Sequence, residues 1–181
     1  MLSKSFNVFL PILVFAGLGF SGDSSGFPVP TGIKNMLFYV QRSLNKNTII
    51  YQLNTNENEE VNVEEPIKMY WINYAGKSDK EMLNYIQRKY AYGLSVKMTD
   101  SEKKTFCFNF VSYKSQSLYL IKSPIDKKYH TLSYFNNRLI DINRIYIHIE
   151  GGTFWYPKVK YIEVFGKDIH KNEEIVEKII P

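Results

Sequence analysis

The sequence predicts a mostly β domain, an antiparallel sandwich or small barrel of about eight or nine strands with one firm amphipathic helix packed on it. Three observations carry that expectation. Short runs rich in Ile, Val, Tyr and Phe alternate apolar with polar residues along most of the chain. Turn residues such as Asn136-Asn137 and Gly151-Gly152 separate those runs. Strands and helices do not alternate, which argues against a parallel α/β sheet.

The first 21 residues read as an address, outside the fold. Lys4 leads, an apolar run follows from Val8 to Phe20, and Gly17, Gly19 and Ser21 close it. That is the layout of a secretory signal, with cleavage after Gly19 or Ser21. The run contains Pro11 and is shorter than the roughly 20 apolar residues of a membrane-spanning helix. A retained N-terminal anchor is the alternative. No Cys follows the run, so a lipoprotein is not expected. Residues 22–32 hold Gly, Ser and Pro and read as a linker, which leaves 33–181 as one globular domain.

Within that domain, Asn35 to Leu44 and Thr48 to Asn54 are two strands joined by Asn45-Lys46-Asn47. Met36, Phe38 and Val40 share a face that ends on Arg42. The acidic stretch Asn56 to Glu65 is a loop or edge strand. Ile67 to Tyr74 is apolar on both faces, which suits a strand covered on both sides. Ser78 to Glu81 reads as a capping box that opens a helix with the stripe Met82, Leu83, Ile86 and Tyr90. Gly93 would then supply a left-handed C-cap. Leu94–Met98, Thr105–Tyr113, Ser117–Lys122, Tyr129–Phe135, Asn143–Glu150 and Lys158–Phe165 follow as strands. In the fifth of these, Ile145, Ile147 and Ile149 face inward, opposite Tyr146, His148 and Glu150. Glu173 to Ile180 is expected as a short C-terminal helix.

Composition narrows the function classes. The net charge is +5 and aromatic residues make up 15% of the chain. A mildly basic exported domain suits anionic envelope surfaces or glycans. Without a basic run, nucleic acid is not an expected partner. The single Cys107 forbids an intrachain disulfide and reads as a small buried residue between Phe106 and Phe108. No Cys pair or His-Glu-x-x-His helix offers a metal site, no Gly-rich loop cradles a phosphate, and no nucleophile elbow is present. No cofactor is expected.

Three groups of residues could still carry chemistry. His148 and Glu150 share a strand face and are the weak candidates for acid/base catalysis. The loop from Gly151 to Lys158 carries three consecutive aromatics, Phe154, Trp155 and Tyr156, which could stack on a sugar ring or anchor a protein. The third set is Gln41-Arg42 on the first strand and Gln87-Arg88-Lys89 on the helix, with Arg42 either at a rim or in a polar pocket, and Trp71 or Arg42 is expected near that loop.

Several blocks resemble a catalogued family. They are Phe27-Pro28-Val29-Pro30, Leu37-Phe38-Tyr39 with Gln41-Arg42, Asn47-Thr48-Ile49-Ile50-Tyr51, and Tyr70-Trp71-Ile72. Further along stand Tyr85-Ile86-Gln87-Arg88-Lys89 with Ala91-Tyr92-Gly93, and Gly151-Gly152-Thr153-Phe154-Trp155 with Pro157-Lys158-Val159. From Phe27 to about Gly166 the chain resembles domain of unknown function 4833. The resemblance implies a self-contained exported or envelope-associated domain and transfers no activity, ligand or site.

The leading expectation is therefore a binding or interaction module of the cell envelope. Its aromatic loop would engage an envelope component, a glycan or a protein. The alternatives are a hydrolase of an envelope polymer that uses His148 and Glu150, and a small barrel that carries an apolar ligand.

Overall fold

Period-two alternation builds a sheet along the whole domain in the computed structural model, which describes residues 26–74, 79–153 and 156–181. The expected signal segment lies outside the described residues. The strands are β1 (Met36–Arg42), β2 (Asn45–Leu53), β3 (Ile67–Asn73), β4 (Asp79–Met82), β5 (Leu94–Asp100) and β6 (Thr105–Phe110). They continue as β7 (Tyr113–Lys122), β8 (Tyr129–Phe135), β9 (Arg138–Gly152), β10 (Pro157–Asp168) and β11 (Glu173–Ile179). Nine of them lie in the order β4-β3-β2-β1-β9-β8-β7-β6-β5, and β10 pairs with both β9 and β11. The nine-strand path curls into a half-barrel, so the mostly β expectation holds.

The curl follows from the edges of β9. β10 occupies one edge from Ile140 to Gly152. A strand has two edges, so β8, at Arg138–Asp141, and β1, at Arg144–Ile147, share the other. The sheet forks there into β1-β2-β3-β4 and β8-β7-β6-β5. The β1–β9 pair is parallel, a departure from the all-antiparallel expectation. A parallel pair needs a long crossover, and here the strands β2 to β8 supply it.

Aromatic rings pack between the two branches. Phe38 stacks on Tyr51 at 4.4 Å, and Phe110 of β6 meets both rings edge-on at 6.2 and 5.6 Å. Phe38, Tyr51, Phe106 and Phe108 are fully buried. Each such side chain stabilises the fold by about 1.5–3 kcal/mol. β3 is covered on both faces, as its sequence predicts: Met69 and Trp71 join this core, while Tyr70 joins Tyr39 and Ile50 on the convex side.

Seven local expectations change. The long helix is replaced by β4 and a short helical stretch. Asp79–Met82 pairs with the exposed edge of β3, where unpaired backbone groups favour another strand. The helical stretch is one turn of α1 (Tyr85–Gln87) that runs into a π-turn over Arg88–Tyr92. Its capping box is Asn84 with Gln87: Gln87 N–H donates to Asn84 Oδ1 at 2.9 Å, and Asn84 N–H to Gln87 Oε1 at 3.0 Å. Ser78 lies outside the described residues.

Gly93 is extended at φ −66°, ψ 163°, and is no left-handed cap. The C-terminal helix is β11: Ile175 and Ile179, four apart, fit both a helical stripe and a strand face, and the edge of β10 decides. The β1–β2 turn is Ser43-Leu44, and Asn45–Asn47 belongs to β2. Cys107 is half-buried, because alternation turns it away from the buried Phe106 and Phe108. Met36 packs with the convex cluster, since a register shift separates it from Phe38. Part of the expected linker also docks: Phe27 meets Tyr146 edge-on at 5.5 Å, and Gln41 Nε2 donates to the Pro28 carbonyl at 2.8 Å.

One titratable latch ties a loop to the sheet. His130 of β8 bridges Asp141 of β9 through Nδ1 at 2.5 Å and Asp126 through Nε2 at 2.9 Å. Partial burial pulls its pKa down, but the hydrogen bonds and charges of Asp141 and Asp126 outweigh that and raise it above the ordinary value. Asp126 is held at about 2, first by the Lys128 backbone N–H and then by His130.

Two predictions follow from these contacts. A Cβ at residue 93 would sit 1.8 Å from the Arg88 carbonyl oxygen. Gly93→Ala is therefore expected to lower stability by about 1–3 kcal/mol in urea unfolding; an unchanged midpoint would mean the π-turn yields freely. A raised His130 pKa adds stability that is full below the unfolded value of 6.5 and is lost as pH rises through the folded one. The stability gap between the wild type and His130→Asn should be widest at about pH 5.5 and shrink above neutrality. A gap that does not vary with pH would assign His130 to packing alone.

Candidate functional site

The concave face of the half-barrel is set by β9. Its Ile140 and Ile142 share a side with Ile145, Ile147 and Ile149 only because the pairing with β10 shifts by one residue near Asn143. Without that bulge the two halves of the strand would face opposite ways. Ile142, Ile145, Ile147 and Ile149, with Val40 of β1 and Val159, Ile162 and Val164 of β10, wall a cavity of about 900 Å3. Its rim is Ile86 and Tyr90 of the helical stretch on one side and residues 151–153 with Tyr156 on the other. Ile86, Tyr90 and Tyr156 are exposed.

Among the described residues that line this cavity, Arg42 is the only one with a charged side chain. It continues the inward face of Phe38 and Val40 and pairs with Ile147 in the parallel ladder. Ser43 extends that ladder: its N–H donates to the Ile147 carbonyl at 3.0 Å, and its hydroxyl accepts from Ile149 N–H at 2.9 Å. The end of β1 is thereby fixed against β9.

The Arg42 guanidinium lies 5.3 Å from the Trp71 ring centre and 5.7 Å from that of Tyr92. Nη1 donates to the Tyr92 hydroxyl at 2.7 Å. Nε is shielded from solvent with no acceptor. No carboxylate pairs with Arg42 among the described residues. Burial raises the Tyr92 pKa, with Arg42 opposing, so the phenol stays protonated. Trp71 Nε1 donates to Gln87 Oε1 at 3.2 Å, and Tyr51 donates to the Tyr92 carbonyl at 2.8 Å, which pins the helical stretch to the sheet.

Two of the residues singled out in the sequence, Arg42 and Trp71, thus meet directly. Tyr92 and Gln87 complete the group; Gln87 belongs to the third set read in the sequence, and Tyr92 was not singled out. The signal for the position of Gln87 is Asn84-x-x-Gln87, a capping box that begins six residues after Ser78.

The loop after β9 forms a lip. Gly151 and Gly152 take left-handed φ of 75° and 84°. Thr153 N–H donates to the Tyr156 carbonyl, and Tyr156 N–H to Thr153 Oγ1, both at 3.1 Å. Tyr156 is 83% exposed. Phe154 and Trp155 lie outside the described residues.

His148 and Glu150 do face the same way, on the convex side, and neither lines the cavity. His148 Nε2 lies 3.4 Å from Glu150 Oε1. Lys160 donates to the same oxygen at 2.7 Å, and that bond is the first cause of a lowered Glu150 pKa. The imidazole lies flat on Tyr161 at 4.5 Å. Lys160 thus keeps Glu150 ionised, as a base and not an acid. Among the described residues no group of three or more His, Cys, Asp or Glu is arranged to hold a metal ion. No helix there is long and apolar enough to cross a membrane.

A family model described as domain of unknown function (DUF4833) matches residues 38–178, and the chain belongs to that family. The match takes in the cavity walls, Arg42, Trp71 and the lip, as well as His148 and Glu150. No curated protein matches the chain, and neither does any solved structure.

Proposed function

We propose that this member of the family is an exported half-barrel that binds a small apolar molecule in its concave cavity. The observation that carries the reading is the cavity itself. At about 900 Å3 it falls within the range of small-molecule pockets, and its walls are aliphatic side chains on paired strands. Ile86, Tyr90 and Tyr156 at the rim offer apolar surface along the entry path. The proposal selects the apolar-ligand barrel from the three roles read in the sequence. Gly151, Gly152, Thr153 and Tyr156 of the expected loop line the cavity, which supports their use as its lip. The hydrolase reading has less support, because Glu150 is engaged by Lys160 and His148 stacks on Tyr161. Export rests on Lys4 and the Val8–Phe20 run of the sequence.

Fluorescence of N-phenyl-1-naphthylamine tests the binding. A saturable gain is expected, reversed by linear alkanols. Each added methylene should tighten alkanol binding about fourfold until the cavity is filled. Ile147→Trp, which fills the space beside Arg42, should weaken binding by about tenfold or more with an unchanged melting temperature. Absence of any saturable gain would remove the cavity reading. Mass spectrometry of the expressed protein addresses export separately. The expected mature start lies between Phe20 and Gly26, and an intact Met1 with membrane retention would replace export by anchoring.

A further inference from the structure

An apolar wall selects by size; a single charge set into it selects by chemistry. The inference drawn from that charge rests on the cavity reading above. Arg42 is the one charged side chain among the described lining residues, and no Asp or Glu lines the cavity with it. Its Nη1 is given to Tyr92, and its Nε is shielded without an acceptor. A guanidinium does not shed its proton in a protein, so the site carries a positive charge that no Asp or Glu among the described residues pairs with. Its rings of contact, Trp71 and Tyr92, stabilise the cation without cancelling it. The Tyr92 hydroxyl accepts from Arg42 and so keeps its own proton free to donate.

We infer that the ligand is an anionic amphiphile: a hydrocarbon body along the Ile and Val wall, and an oxyanion head held by Arg42 and the Tyr92 hydroxyl. A carboxylate or a phosphate monoester would supply the same chemistry, since both offer oxygen acceptors that match the guanidinium fork. A cationic head would meet uncompensated positive charge, and a neutral one would leave Arg42 without a counter-ion. Thus the wall sets affinity for the chain and Arg42 sets which head is accepted.

The test uses the full chain and four probes of equal chain length, each below its micellar concentration: dodecanoate, dodecyl phosphate, dodecanol and dodecyltrimethylammonium. Each is titrated against bound N-phenyl-1-naphthylamine. Dodecanoate or dodecyl phosphate is expected to displace it about ten- to a hundredfold more tightly than dodecanol, and the trimethylammonium probe more weakly than dodecanol. The tighter of the two anions identifies the head. Arg42→Met should erase the preference for anions while still binding dodecanol saturably, which also reports an intact fold. Arg42→Lys should retain part of it, and Tyr92→Phe should lower it without abolishing it. Equal binding of dodecanol and both anions would overturn the inference and leave the cavity reading standing. So would an Arg42→Met variant that loses dodecanol and dodecanoate to the same degree, since Arg42 would then act only as a packing residue. Failure of all four probes to displace the dye overturns both.

Discussion

The molecule depends on how the two edges of β9 are shared out. The strand is 15 residues long, more than any other in the sheet. β10 runs along one edge, so two ladders, to β8 and to β1, must follow one another on the second. Two strands leaving one edge cannot stay coplanar, and the branches they begin diverge and curl. Near the fork, rings from β1, β2 and β6 fill the angle. Farther along, β9, β10 and β11 wall the cavity together with Phe110 of β6, Leu118 of β7 and Phe135 of β8. Cavity and core are thus two outcomes of one topological constraint.

Arg42 owes its place to the same fork. Parallel pairing with β9 sets the end of β1 beside Ile147, and Ser43 holds it there by bonding to both Ile147 and Ile149. Placing a guanidinium on an apolar wall costs desolvation energy. Two aromatic faces offset some of that, at about 0.5–2 kcal/mol each, and the Tyr92 hydroxyl takes one donor. Arg42 Nε is left shielded without an acceptor. A fold under selection for stability alone would have placed Met or Leu at the end of the Phe38-Val40 face, so the retained cost is itself an argument that Arg42 serves recognition.

Most strands were legible because alternation is local. Ile145, Ile147 and Ile149 share a face whatever surrounds them, and Phe106 and Phe108 do likewise. The failures lie where a local pattern fits two periods or where a partner distant in sequence decides. Ile175 and Ile179 satisfy a helix and a strand equally, and only the edge of β10 chooses between them. Asp79–Met82 resembles the first turn of a helix, but an open β3 edge captures it. The parallel pair of β1 and β9 joins residues about a hundred apart, and no local pattern encodes that. For the same reason Arg42 and Trp71 could be singled out as residues, while their meeting with Tyr92 and Gln87 could not be read.

The two faces of β9 also divide the chemistry between structure and recognition. On the convex side, Tyr146 packs on Phe27, His148 lies on Tyr161, and Lys178 sits over that ring at 3.6 Å. Arg144 covers Phe165 at 4.7 Å, and Glu163 is buried. The rings of Phe27, Tyr146, His148 and Tyr161 thus contact one another, while Arg144 Nε and Nη2 and Glu163 Oε2 are buried without a hydrogen-bond partner among the described residues. On the concave side the same strand offers Ile after Ile and then, across one ladder step, a lone cation. A slip of one residue would exchange the faces. The bulge at Asn143 keeps them distinct on both sides of the fork. It therefore keeps Ile142, Ile145, Ile147 and Ile149 on the cavity side, where Arg42 is the one charged side chain among the described lining residues.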